Sequence, residues 1–354
     1  MKLSKVSLAK GLVIGILSSS ILLTVIPAFG ETIHEFITPT PNSSPTDLAF
    51  DAEGNLWFTE INGNRIGKLV PSETEPGTSK GITEYELPNP DSKPHNSIVA
   101  KNGMVWFTEL GGRIGRLDPA NGNIVELKIS PENNEPHGLL EDEDGNIWFA
   151  EFESSAIVRV DPNTGNMKYF PIGGGHPHAL AKDGNKIWFT LGGKFWMGKF
   201  FNKLGALDIQ TGNILEILVP PEKSVPHAMA RAGDGTIWFS QLFASKIARL
   251  VFNKGRPITI REYSLGKKKG PHGIAIDDDR KLIWFTANRV DSIGRLDLAK
   301  ALPGTDQGVE YFKIPTPGAH PNEAAIDKDG NVWFTEMGHY FRGQFQNKIG
   351  KLIP

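Results

Sequence analysis

PHNSIVAKNGMVWFTELGGRIGRL, residues 94–117, contains most of one unit of a repeat that runs through the chain. His95–Ala100 is short and mostly apolar, Lys101-Asn102-Gly103 turns the chain, and Met104–Glu109 carries the pair Trp106-Phe107. Gly111-Gly112 turns it again into Arg113–Asp118, and a Pro- and Gly-containing turn at 118–122 leads to Ile124–Ile129. Four β-rich segments separated by Gly, Asn and Asp read as three successive hairpins, strands A to D of one sheet.

The Trp-Phe pair recurs as Trp57-Phe58, Trp106-Phe107, Trp148-Phe149, Trp188-Phe189, Trp238-Phe239, Trp284-Phe285 and Trp333-Phe334, at spacings of 49, 42, 40, 50, 46 and 49 residues. A period of about 40–50 residues built from short strands is that of a β-propeller. The fold expected is all-β, a seven-bladed β-propeller of four-stranded blades, over residues 31–354. The last unit has strands A, B and C but no D, whereas Thr32–Ile37 is a D-type strand with no blade before it. That N-terminal strand is expected to pair with Asn347–Leu352 and so remove a free edge.

Composition narrows the function classes. Length alone would suggest two ordinary domains, but seven like units closing on one another make one ring. With 38 basic and 40 acidic residues the net charge is −2, and the only basic cluster is Lys267-Lys268-Lys269 in a turn. Nucleic acid is therefore not an expected partner. The chain has no Cys, which excludes disulfides, thiolate metal sites and a Cys nucleophile. Lys2, Lys5 and Lys10 precede an apolar stretch from Gly11 to Ile26 and then Ala28-Phe29-Gly30. This reads as an export signal over residues 1–30, with an uncleaved anchor as its alternative. The expectation is an exported monomer with no other membrane contact.

Acidic turns such as Asp51-Ala52-Glu53-Gly54-Asn55, Asp142–Asn146 and Asp327–Asn331 look superficially like calcium loops. They lack the downstream bidentate Glu, and Asp capping its own turn accounts for them. The alternating basic residues of strand C, as in Arg113-Ile114-Gly115-Arg116-Leu117, read as a solvated face.

Function should lie where the blades differ. Five strands A begin Pro-His, at His95, His137, His178, His227 and His272, while blade one has Pro45-Thr46 and blade seven Pro321-Asn322. Strands A line the axis, so these side chains ring one mouth of the channel. The third residue after each Trp ends strand B: Glu60, Glu109, Glu151, Leu191, Gln241, Ala287 and Glu336. Carboxylates and imidazoles are expected to meet on that face, as base chemistry or metal binding requires. The histidines can equally hold neighbouring loops together. Two long B-to-C segments overhang the same mouth: Leu191–Lys203, with Phe195, Trp196, Phe200 and Phe201, and Met337–Asn347, with His339, Tyr340, Phe341 and Phe345. Such aromatics suit a lid or an apolar ligand wall, and also a rim or partner contact.

The sequence of Pro-His-Gly/Ala, Asp-Gly-Asn, Ile-Trp-Phe-Thr-Glu and Lys/Arg-Ile-Gly-Arg-Leu resembles the virginiamycin B lyase (streptogramin lyase) family of seven-bladed propellers, over about residues 32–354. The resemblance implies a lyase that opens a cyclic depsipeptide by elimination across its ester, with a His as base and Mg²⁺ held partly by Glu. In chain order His272 matches the family's blade-six histidine, and His320, Asn322 and Glu336 stand at its blade-seven Glu, base and Glu. Asn322 cannot take a proton. Blades two and three keep the whole set: His95, then Glu135-Pro136-His137, then Glu151.

Rotated to that pair, the family's chemistry would make His137 the base and His95 the group that orients the substrate. Glu135 and Glu151 would be the Mg²⁺ ligands. His178, His227, His272, Trp196 and Tyr340 would line the site of a small-molecule or cyclic-peptide ligand. Zn²⁺ held by His137, His178 and His227 is the alternative metal, since several imidazoles favour borderline ions, with the peptidyl-hydroxyglycine lyase propellers as a fold-level analogy. A non-catalytic ligand- or protein-binding propeller is the alternative function.

Overall fold

The computed structural model describes residues 30–354 except 131–133, 195–196, 199 and 254–255. The segment read as an export signal lies outside them, apart from Gly30. Seven four-stranded antiparallel sheets are present. Strands A are Pro45–Phe50, Pro94–Val99, Pro136–Glu141, Pro177–Asp183, Pro226–Arg231, Pro271–Asp277 and Pro321–Ile326. Strands B are Leu56–Glu60, Val105–Glu109, Ile147–Glu151, Lys186–Leu191, Ile237–Gln241, Leu282–Ala287 and Val332–His339. Strands C are Arg65–Leu69, Arg113–Leu117, Ala156–Val160, Lys203–Asp208, Lys246–Asn253, Ser292–Asp297 and Gln344–Ile353. Strands D are Ile82–Glu86, Ile124–Lys128, Met167–Pro171, Ile214–Leu218, Arg256–Ser264 and Val309–Lys313, and Thr32–Ile37 completes blade seven. This is the seven-bladed propeller the repeat predicts. No helix among the described residues is long and apolar enough to cross a membrane.

The Trp-Phe pair explains the ring. Neighbouring residues on a strand point to opposite faces of the sheet, so each strand B gives its Trp to one neighbouring blade and its Phe to the other. Seven apolar clusters result, each joining one blade's Trp to the next blade's Phe: Trp57 with Phe107, Trp106 with Phe149, Trp148 with Phe189, Trp188 with Phe239, Trp238 with Phe285 and Trp284 with Phe334. Trp333 with Phe58 is the seventh and closes the circle. The Phe rings in five blades lie flat on a strand-C glycine; a Cβ on Gly115 would sit 2.1 Å from Phe107. The glycine of the Arg-Ile-Gly-Arg-Leu motif thus makes room for the Phe.

In the acidic turns Asp51 Oδ1 accepts the Asn55 N–H at 2.7 Å, and its Oδ2 accepts the Trp57 indole N–H at 2.9 Å. Asp142 and Asp327 do the same for Trp148 and Trp333. These turns cap themselves and anchor the tryptophan.

Ring closure pairs Thr32 with Ile353 through to Ile37 with Lys348, one residue along from the expected partner range. The blade-seven insertion, read as a loop, instead prolongs the B–C hairpin: Gly338 pairs with Phe345 and His339 with Gln344 after a bulge. Gly338 has a φ of 76° there, which a glycine adopts without strain. Blade five has a lengthened C–D hairpin that the repeat pattern did not reveal.

Phe36 is 3% exposed and stacks on Trp333 at 5.5 Å, so the closing strand contributes to the core as well as to the ladder. Phe36→Ala is expected to cost about 3–5 kcal/mol, whereas His34→Ala on the same strand should stay within about 0.5 kcal/mol. Urea unfolding of both variants checks this; equal effects would mean that the strand contributes pairing alone.

Candidate functional site

The channel mouth is shaped by a bulge. In every blade the A–B register slips between the proline and the third residue after it, as between Pro94 and Ser97. The freed N–H two residues after the proline is taken by a strand-B hydroxyl: Asn96 N–H by Thr108, Ala228 N–H by Ser240, Gly273 N–H by Thr286. The hydroxyl then donates to the next blade's carbonyl, one residue after its proline. Thr59 reaches the His95 carbonyl at 2.8 Å, Thr190 that of His227 at 2.7 Å, and Ser240 that of His272 at 2.8 Å. Blade three has Ala150 at this place and makes no such bond. At His95, His227 and His272 the Pro-His backbone is thereby fixed blade to blade, and the five imidazoles come together at the axis.

His95 and His137 lie 4.7 Å apart by ring centroids, His137 and His178 4.5 Å, His178 and His227 4.0 Å, and His227 and His272 3.7 Å. Burial keeps all five neutral. It pushes His95 down to about 4 and His272 to about 3, and holds His137, His178 and His227 well below the usual imidazole range, where the other ring histidines add a smaller effect.

Hydrogen bonds fix the tautomer at the two ends of the histidine arc. His95 Nδ1 meets Asn96 Oδ1 at 2.7 Å, and Asn96 Nδ2 donates to Asp47 Oδ2 at 3.2 Å. The carboxylate dictates the amide's orientation, so His95 carries its proton on Nδ1 and presents a free lone pair at Nε2. His272 Nδ1 donates to the Asn322 carbonyl at 3.2 Å. His137 is 6% exposed, packs on Phe152 at 4.8 Å, and has no hydrogen-bond partner at either nitrogen among the described residues.

The strand-B carboxylates do not share this centre. Glu151 accepts the Glu135 N–H at 2.9 Å and the Ser154 N–H. The Glu135 carboxyl is raised by burial and then by Glu153, with Lys194 opposing. Glu60, Glu109 and Glu336 are fully buried, and among the described residues no donor meets either carboxylate oxygen in good hydrogen-bond geometry. Their charged neighbours are on strands C and D of their own blades: Glu84 and Arg65, Glu126 and Arg113, and Glu35 and Lys348. No group of three His, Asp or Glu side chains spaced to hold a metal ion occurs among the described residues. Glu135 and Glu151 as they stand do not fit Mg²⁺, because Glu151 is held by backbone N–H groups.

At the position matching the family's base, Asn322 is 3% exposed and donates from Nδ2 to the Thr46 carbonyl at 2.8 Å. His320 meets His339 at 4.3 Å with the rings tilted by 52°, and its backbone N–H is held by Asp291. Phe201 faces His176 at 6.0 Å, and Phe200 meets Phe243 at 5.5 Å. The Gly338 N–H donates to the Ala319 carbonyl, so Tyr340, just beyond it, sits on the histidine side of the ring. Phe195 and Trp196 lie outside the described residues.

Sequence reading missed Asp47 and Glu323. Both follow the bulge position in their blades, and they lie beside each other across the blade seven–blade one seam. Burial raises Asp47 to about 6; burial and then the Asp47 charge hold Glu323 well above the carboxylate range. The signal was available one residue past Pro-His: Asp47, Asn96 and Glu323 are polar, where the other four blades carry Gly or Ala.

A propeller with a mouth of neutral imidazoles facing an acidic pair defines the class, and comparison with known proteins defines the family. Residues 26–201 and 191–352 match the virginiamycin B lyase family model, and the chain belongs to that family. A virginiamycin B lyase of Nocardia farcinica is 27% identical over 163 residues, 46% of this chain and 49% of that protein. The match thus spans about half the length of that curated relative. A streptogramin B lyase structure superposes with a TM-score of 0.77 at 27% identity, covering 91% of this chain and 97% of the other. A catalytically inactive histidine variant of the Staphylococcus aureus virginiamycin B lyase with quinupristin gives 0.75 at 25% identity, covering 92% and 99%.

Buried titratable groups set a pH dependence of stability. The histidines, depressed when folded, favour the folded state fully above about 6.5 and lose that contribution as pH falls. Glu60 and Glu336, raised by burial to about 9, act in the opposite sense: from about 4.5 to about 9 the unfolded chain ionises them while the folded state holds them protonated, so their contribution is lost as pH climbs. Stability should therefore decline between pH 7 and pH 9, and Glu60→Gln should flatten that decline. Urea midpoints at pH 7, 8 and 9 test it; an unchanged slope in the variant would show Glu60 to be ionised already.

Proposed function

We propose that this protein is an exported lyase that opens a cyclic ester by β-elimination at the histidine mouth. The observation that supports it best is His137, a neutral imidazole whose two nitrogens are both unpartnered among the described residues. A base must be unprotonated and unengaged to take a proton, and burial keeps His137 in that state at pH 7.

In the proposed reaction His137 takes the proton α to a carbonyl of the residue bearing the ester oxygen. The C–H electron pair becomes the new C=C bond, and the C–O bond breaks towards the departing carboxylate. No water is consumed. His95, its tautomer fixed by Asn96, offers its Nε2 lone pair to orient a donor on the substrate. His178, His227 and His272 form the remaining wall, and Tyr340 its rim. A Mg²⁺ would enter through Glu135 and Glu151 only by drawing Glu151 off its backbone donors, and Zn²⁺ would need His137, His178 and His227 to turn. Asn322, tied to the Thr46 carbonyl, favours the second reading, in which the mouth binds a ligand without turnover.

Ring-opening of cyclic depsipeptides, followed by mass spectrometry, tests the proposal. Elimination gives a product of unchanged mass with a new conjugated chromophore, whereas hydrolysis adds one water. His137→Ala is expected to lower kcat about 10²–10⁴-fold, and Asn322→Ala to change it little. Because His137 packs on Phe152, its thermal midpoint is read alongside. Chelator and added Mg²⁺ or Zn²⁺ report any metal requirement. Ligand binding with no turnover in the wild type would replace the lyase with the binding propeller.

A further inference from the structure

Opposite the histidine mouth, at the A–B turn end of the ring, a groove of about 530 Å³ opens between blades four and five. Its origin is a break in the repeat. In six blades a strand-C Lys or Arg lies over the tryptophan of its own sheet: Lys68, Arg116, Arg159, Arg249, Arg295 and Lys351, at 4.9–5.8 Å from the ring. Blade four has Ala206 opposite Trp188, so that cation is missing. Phe252, from the lengthened hairpin of blade five, meets the Trp188 edge at 5.7 Å instead, and the Trp188 indole N–H finds no acceptor among the described residues.

The groove carries an excess of positive charge. Arg231 is paired with Asp183 at 2.9 Å, and Asp234 accepts the Thr236 N–H at 2.8 Å. Lys186, Arg249 and Arg261 have no carboxylate within ion-pair distance among the described residues, and Arg249 Nε is buried without a partner. Arg249 and Arg261 are direct cross-strand neighbours, a like-charge pairing that destabilises a sheet. At the same register Arg295 faces Glu310 and Arg116 faces Val125. The other like-charge pair, Arg159 and Lys168, is relieved because the Lys168 amine sits over Phe170 at 4.8 Å.

We propose that this groove is a second binding site, for a small organic anion that joins a phosphate or sulfate ester to an apolar ring. The oxyanion takes charge-assisted hydrogen bonds from Arg249, Arg261 and Lys186, and the ring lies along Leu250, Val251 and Phe252. The site is independent of the histidine mouth and of the lyase reading.

Titration calorimetry of the purified protein at low salt with phenyl phosphate and phenyl sulfate tests this, beside inorganic phosphate and neutral phenol. Expected is saturable binding of at least one ester, tighter than inorganic phosphate, absent for phenol and weakened by added salt. Arg261 is exposed, so Arg261→Ser should leave folding intact, and it should weaken binding about tenfold or more. Lys186→Gln should weaken it too. Arg116→Gln, the equivalent cation in blade two, should not. No saturable binding of either ester, or binding unchanged by Arg261→Ser, overturns the site. An equal loss in Arg116→Gln overturns its location, and inorganic phosphate binding as tightly as the esters overturns the apolar wall.

Discussion

Everything in this ring depends on two adjacent side chains pointing in opposite directions. Because strand periodicity sends Trp and Phe of one strand B to different sheet faces, each blade is glued to both neighbours by consecutive residues. The seventh interface, Trp333 against Phe58, uses the same chemistry as the other six. Burying an aromatic side chain contributes about 1.5–3 kcal/mol, and each pair contributes at two interfaces at once. No single blade has a core of its own, since every cluster mixes residues from two sheets. The closing strand matters for that reason: without Phe36 on Trp333, one of the seven interfaces loses part of its wall.

The chemistry of the mouth follows from the same repeat one strand further in. A bulge after each proline frees an N–H, and in blades one, four, five, six and seven a strand-B hydroxyl accepts from it and donates to the next blade's carbonyl. This ties the backbone at His95, His227 and His272 to the neighbouring sheet as well as to its own. Five imidazoles then crowd together, and the cost of burying charge keeps them neutral. A structural device thus produces a cluster of unprotonated nitrogens, whatever use is made of it.

The fold was legible in the sequence because it rests on residue types at a fixed period: Trp-Phe, the strand-C glycine and the turn aspartates each do one local job seven, five or three times. The convergence of His95, His137, His178, His227 and His272 was legible for the same reason. The partners of the carboxylates were not. The third residue after each Trp does approach the proline of strand A, as Pro136 pairs with Glu151. Its side chain, however, meets backbone donors or strands C and D, which linear spacing cannot reveal. Asp47 and Glu323 escaped because their proximity depends on two chain-distant blades meeting at the closure seam.

That seam gives the mouth its polarity. Blades two to six contribute neutral bases, while blades seven and one contribute Asp47 and Glu323, two carboxyls too close and too buried to ionise together. Asn96 in blade two links the halves, since one amide contacts both Asp47 and His95. Blade seven gives up a histidine for Asn322, whose side chain secures the Thr46 carbonyl of blade one and whose own carbonyl receives His272. An amide can donate from its side chain permanently, whereas an imidazole there would bring a sixth ring against a crowded wall. The substitution therefore exchanges a candidate base for a fixed hinge between the acidic and the basic sectors. His95 and His137 then face each other 4.7 Å apart on one flank of the seam, and His227 and His272 3.7 Å apart on the other.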